Sequence, residues 1–190
     1  ADGKPDDSKI YLVPTFFKAN FEHDLTYWRD KKLMTIAAHE IEGFKLSGAK
    51  AKLSGERKDG LWTLNNEVSG DIENIDNVLT AASYLSAKDF VSNSKTDAKA
   101  KSVLQGAKPV LTLTLQKEKG SSKEPLEPIT LTLFQKGPAA KSKLYATVSN
   151  LDPLYEVEPS AKDRLDKDLK SLRLAKLVTS MERFSAKKIY

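Results

Sequence analysis

The clearest alternation of apolar and polar positions lies in the second half of the chain. In "VLTLTLQ" (110–116) Leu111, Leu113 and Leu115 alternate with Thr112, Thr114 and Gln116; in "ITLTLFQ" (129–135) Ile129, Leu131 and Leu133 alternate with Thr130, Thr132 and Phe134. A period of two sends successive side chains to opposite faces, so both segments are predicted to be antiparallel strands with one buried and one wet face. "KEKGSSKEPLE" reads as a long, mobile connection between them. "KGPAAKSK" leads into a third strand at 144–148, and the turn "NLDP" into a fourth, "LYEV". Earlier, "IEGFKLSG", "AKLSGERK" and "LWTLN" read as three short strands. The last two are separated by Asp59-Gly60, a pair suited to a two-residue hairpin.

Two stretches carry helical spacing instead. Phe17, Phe21, Leu25 and Trp28 fall at i, i+4, i+8 and i+11, one stripe of a helix that follows a short strand at Lys9–Val13 and starts at Pro14-Thr15. Trp28, last in the stripe, is expected to close that helix onto the sheet, with Arg29 as a tether to a carboxylate or to carbonyls at the helix end. Gly70-Asp71 introduces a second helix, whose Ile72, Ile75, Leu79, Ala82 and Leu85 keep three- and four-residue spacing to an end near Phe90. Residues 92–107 read as a loop or a weak, exposed helix.

The chain also echoes itself. "YLVPTFFKANFEHDLTYWRDKKLMT" (11–35) and "YEVEPSAKDRLDKDLKSLRLAKLVT" (155–179) align at an offset of 144 with nine identities, among them Lys18/Lys162, Asp24/Asp168, Leu25/Leu169 and Arg29/Arg173. Phe17, Phe21, Leu25 and Trp28 map onto Ala161, Leu165, Leu169 and Leu172, so the stripe persists where residues differ. The expected organisation is a flexible N-terminus (1–8), a complete α+β unit (9–150) and the start of a second unit (151–190), duplicated strand-helix-strand at that offset. Such a second unit is either a piece of a longer array or a segment packed back on the first. The fold class is α+β: an antiparallel meander with helices on one face.

The run "LTYWRDKKLMTIAAHEIEGFKLSG", then "ERKDGLWTLN", then a helix closing in "LSAKDFV", resembles the bacterial domain-of-unknown-function family DUF4340. The resemblance spans nearly the whole chain, and its most specific pieces are Arg29-Asp30-Lys31 and Gly60-Leu61-Trp62. Leu174 and Ala175 replace Asp30 and Lys31 in the second copy, so the charged turn is not kept there. The resemblance implies an extracytoplasmic, often tandem-repeated domain behind an N-terminal membrane anchor, associated with ABC-type export or gliding-type systems. It implies no catalytic residues.

Composition narrows the chemistry. The chain has 190 residues, 39% hydrophobic and 30% charged, which suits a globular domain. Without cysteine it has no disulfide, thiolate zinc site or cysteine nucleophile. No stretch approaches the roughly 20 apolar residues of a membrane span. The opening "ADGKPDD" is not a signal peptide, and reads either as the start left after an upstream targeting segment was removed or as a disordered terminus.

The net charge of +5 is confined to Pro159–Tyr190, where nine basic residues face four acidic ones. In that segment Lys162, Arg164, Lys167, Lys170 and Arg173 are interleaved with Asp163, Asp166 and Asp168, the pattern of a solvated helix face rather than a nucleic-acid site. The two histidines, His23 and His39, have no metal-ligand spacing, and the acidic run Asp71, Glu73, Asp76 is expected to serve the start of its helix. No Gly-x-Ser-x-Gly, Walker or dinucleotide motif occurs.

These readings name no catalytic, metal or cofactor-binding residue and no cofactor. They favour a non-enzymatic extracytoplasmic structural or protein-interaction module, accessory to a membrane-associated transport assembly, with a protein partner and an upstream anchor. Strands 110–116 and 129–135 offer edges a partner strand could extend. The alternatives are a binding module for a small anionic or glycan ligand between sheet and helices and, further off, nucleic-acid binding through 159–190.

Overall fold

The computed structural model describes residues 12–19, 21–117, 127–137 and 142–175. The mobile connection expected after 117, the approach to the third strand, the flexible N-terminus and most of the first strand lie outside them. The chain forms two compact units, 1–30 and 31–190.

The larger unit is built on one nine-stranded sheet, antiparallel throughout. In chain order its strands are β1 (Ile41–Gly48), β2 (Lys52–Lys58), β3 (Leu61–Leu64), β4 (Val68–Ser69), β5 (Asp89–Ser92), β6 (Lys108–Lys117), β7 (Ile129–Lys136), β8 (Lys143–Val148) and β9 (Leu154–Val157). They lie side by side as β4-β3-β2-β1-β6-β7-β8-β9-β5. The alternating leucines set the register: Leu111 faces Leu133, Leu113 faces Leu131 and Leu115 faces Ile129. All five leucines are at most 1% exposed. On the opposite face the threonines pair, with Thr114 and Thr130 hydroxyls 3.1 Å apart. The Asp59-Gly60 turn is as expected, with φ of 51° and 78°, and it fixes Lys58 opposite Leu61 and Arg57 opposite Trp62.

Three helices of this unit cover the leucine face: α3 (Ile72–Ser83), α5 (Ser160–Leu165) and α6 (Leu169–Leu172). Ile75, Val78, Leu79 and Ala82 of α3 share one core with Ala161, Leu165, Leu172 and the strand leucines. Helix α3 ends at Ser83, earlier than its spacing suggested, and Phe90 belongs to β5 instead. The helical period runs out because Leu85 and Ala87 pair with 31–33: Leu33 N–H donates to Leu85 O at 3.0 Å and Ala87 N–H to Lys31 O at 2.7 Å.

Not every helix lies on the leucine face. The expected weak helix exists as α4 (Ala98–Leu104), whose Ala100 packs with Tyr145 and Leu154, side chains that alternation turns away from the main core. It is capped by Asp97, whose carboxylate accepts from Ala100 N–H at 2.6 Å.

Segment 151–175 is not a separate unit. β9 lies between β8 and β5, so β5 has no other described neighbour and the span 9–150 cannot complete its own sheet. After β9, α5 and α6 pack on α3, and the chain runs back along the end of β4: Asp71 N–H donates to Leu172 O and Leu174 N–H to Ser69 O, both at 2.8 Å. These residues pack on α3 and at the end of β4, within the larger unit. Gly48 belongs to the same joint, since a Cβ there would meet Asp166 Oδ1 at 2.1 Å.

The smaller unit contains α1 (Thr15–Ala19) and α2 (Leu25–Trp28). The expected single helix is interrupted, because Asp24 turns its side chain to accept Tyr27 N–H at 3.0 Å and so begins a new helix. None of the stripe is buried: Phe17 is 47% exposed, Phe21 62%, Leu25 73% and Trp28 56%. Trp28 is therefore not the core anchor its place in the stripe suggested. A stripe needs a covering surface as well as a period.

Candidate functional site

Two surfaces have the composition of a recognition site, and each lies within one unit. The first follows from the β2–β3 hairpin. Its register places Arg57 across from Trp62, and the guanidinium carbon sits 5.8 Å from the ring centroid. Arg57 Nη2 also donates to His39 O at 2.6 Å, so the arginine is fixed at both ring and backbone. His39 lies in a short 3-10 turn (Ala38–Glu40), held by Glu40, which accepts from Ala37 N–H at 3.0 Å and meets Lys117 Nζ at 2.8 Å. The Lys117 hydrogen bond, helped by the Ala37 amide, keeps the Glu40 carboxyl below the ordinary carboxylate range.

Between this turn and the outer side of α3 opens a cleft of about 450 Å³, lined among others by Lys32, His39, Arg57, Asp76, Thr80 and Ser83. Ser83 is 4% exposed and its hydroxyl has no hydrogen-bond partner; the indole N–H of Trp62 is likewise buried and unpartnered. A buried hydroxyl without a partner forfeits about 1–3 kcal/mol of solvation. Cationic side chains beside the Ser83 hydroxyl suit an anionic or polyhydroxylated ligand.

The second surface is the smaller unit. His23 stacks on Tyr27 (ring centroids 3.7 Å apart, 18° between planes), Tyr27 meets Trp28 edge-on at 5.2 Å, and Phe17 meets Phe21 at 5.1 Å. His23 is thus part of an aromatic cluster beside an apolar stripe.

The acidic run expected at the helix start separates into roles. Asp71 is the N-cap of α3, accepting Asn74 N–H at 3.1 Å; Glu73 lies in the first turn; Asp76 lines the cleft. In the basic C-terminal segment Asp166 points inward, 2% exposed, and accepts Lys50 N–H at 3.3 Å. Asp168 caps α6, and its bonds from Ser171 keep its carboxyl below the usual range. Arg164 and Lys167 line a smaller cleft of about 330 Å³ with Asn74 and Asn77. Among the described residues no group of three or more His, Cys, Asp and Glu is placed to hold a metal ion, and no helix is long and apolar enough to cross a membrane.

Sequence reasoning passed over Arg57 and Ser83. Arg57 was findable: a two-residue Asp59-Gly60 turn puts 57 opposite 62 by counting alone. Ser83 was not, because an unpartnered hydroxyl exists only once its neighbours are in place.

The family model described as Domain of unknown function (DUF4340) matches residues 3–105. No curated protein and no solved structure matches the chain.

Proposed function

Since this chain belongs to the DUF4340 family, we propose that it works as a non-enzymatic, extracytoplasmic structural or protein-interaction module, accessory to a membrane-associated transport assembly of the ABC-export or gliding type. The observation that carries the reading is the uncovered apolar run of the smaller unit, where Phe17, Phe21, Leu25 and Trp28 are all about half exposed or more. Clustered exposed aromatics are the usual mark of a surface that a partner covers. A photo-reactive residue at position 28, introduced in cells, should give one discrete adduct with a component of an envelope assembly and lose it when Phe17 and Phe21 become alanine. Recovery of the chain in the cytosolic fraction without an adduct would overturn the reading.

A second reading, a binding module for a small anionic or glycan ligand, is favoured by the buried, unpartnered Ser83 hydroxyl at a cleft that also holds Arg57. Titration with glucuronate and with inorganic phosphate tests it: binding should vanish in Arg57→Ala, and no heat with either compound at millimolar concentration would end it.

A further inference from the structure

The two stretches aligned at an offset of 144 share more than letters. In both, an aspartate caps a four-residue helix by accepting the N–H three residues on: Asp24 from Tyr27 at 3.0 Å before Leu25–Trp28, and Asp168 from Ser171 at 2.9 Å before Leu169–Leu172. In both, an arginine in extended conformation ends the helix, Arg29 at φ −82°, ψ 142° and Arg173 at φ −73°, ψ 146°. A short helix precedes each, Thr15–Ala19 and Ser160–Leu165. What differs is cover: Leu165 and Leu172 are each 1% exposed, whereas their counterparts Phe21 and Trp28 are 62% and 56% exposed. The larger unit begins at Lys31, directly after the first of these arginine-ended helices and its Asp30, and Leu174 N–H, directly after the second, is bonded to Ser69 O.

We propose that residues 12–30 are the closing segment of another domain of this same fold, placed before Lys31 in chain order, on which they take the seat that 156–174 take on 31–155. The proposal rests on the reading of the Phe17–Trp28 stripe as a surface that a partner covers. It makes that partner a preceding domain of the same chain, so a crosslink from position 28 would fall within the chain in place of the adduct with a second protein. The receiving surface is defined by the seat observed here: an apolar helix face like that of α3, beside a Gly-Asp pair equivalent to Gly70-Asp71. There the aspartate N–H would donate to Trp28 O, as Asp71 N–H donates to Leu172 O. The seat must also be roomier than this one, because Phe17, Phe21 and Trp28 replace Ala161, Leu165 and Leu172. Each body is then closed by the two short helices that follow its last strand.

The test is a tandem chain in which residues 31–156 precede 13–190, so that 13–30 follow a body as 157–174 normally do. A second version carries Phe17→Ala, Phe21→Leu and Trp28→Leu, which removes the excess volume. In at least the second version, amide exchange over 21–30 should slow by ~100-fold relative to the single chain. Exchange over 21–30 as fast in both tandems as in the single chain would overturn the proposal, as would a single chain that protects 21–30 only by self-association. A position-28 adduct with an unrelated envelope protein, combined with unprotected tandems, would leave the interaction reading standing and remove this partner.

Discussion

Leu172→Ala and Trp28→Ala form a matched pair, since the two positions correspond at the offset of 144 and differ in cover. Leu172 is 1% exposed, in the core with Ile75, Val78 and Leu165, and its carbonyl accepts Asp71 N–H at 2.8 Å. Truncation keeps that backbone bond but removes three buried carbons and leaves a cavity that α3 and α5 fill only in part. Leucine-to-alanine changes of this kind cost about 2–5 kcal/mol. Each kcal/mol shifts the melting temperature of a domain this size by roughly 2–4 °C, so a fall of roughly 4–20 °C is expected. Trp28 is 56% exposed, and a surface truncation of this sort usually changes stability by less than about 0.5 kcal/mol. Calorimetric melting of the two variants beside the parent chain measures both. Equal losses would refute the reasoning, for they would mean that Trp28 is a core residue of the isolated chain.

Gly48→Ala puts a Cβ 2.1 Å from Asp166 Oδ1 and should cost roughly 1–3 kcal/mol, read by urea unfolding; combined with Asp166→Ala the loss should be less than additive. Lys95 Nζ donates to the carbonyls of Val148, Ser149 and Leu151 at 3.0, 3.0 and 2.7 Å, so Lys95→Met should cost about 2 kcal/mol and speed exchange at the 149–153 turn. Asp97 is held below the usual carboxylate range by Ala100 N–H and then by Ser92, and Glu40 by Lys117. Because folding favours their ionised forms, their stabilisation is complete above about pH 4 and is lost as pH falls through the lowered values. Asp97→Asn should therefore flatten the acid limb of a stability–pH curve. Lys143 is shifted the other way by Glu156, 2.8 Å distant, so its contribution is present below about pH 10.4 and fades as pH rises beyond it; Glu156→Gln should remove that alkaline slope.

What the sequence determined by itself is the local grammar of the sheet. Alternation from Leu111 to Leu115 and from Ile129 to Leu133 dictates which face is buried, and a one-residue slip would expose every leucine, so register follows from pattern. Asp59-Gly60 likewise determines the hairpin and the Arg57–Trp62 pairing. These features are legible because they depend on neighbours a few residues away. Tertiary structure alone decided which stripe is covered. Phe17–Trp28 and Ala161–Leu172 carry the same helical spacing and equivalent aspartate caps, yet Leu165 and Leu172 are buried in the core with α3 and the sheet while Phe21 and Trp28 are more than half exposed. It also decided that β5 depends on β9, more than 60 residues further on, and that an unpartnered Ser83 hydroxyl borders a cleft with Arg57. Period and propensity specify the face a segment presents; what meets that face depends on contacts between distant parts of the chain, which no window of sequence contains.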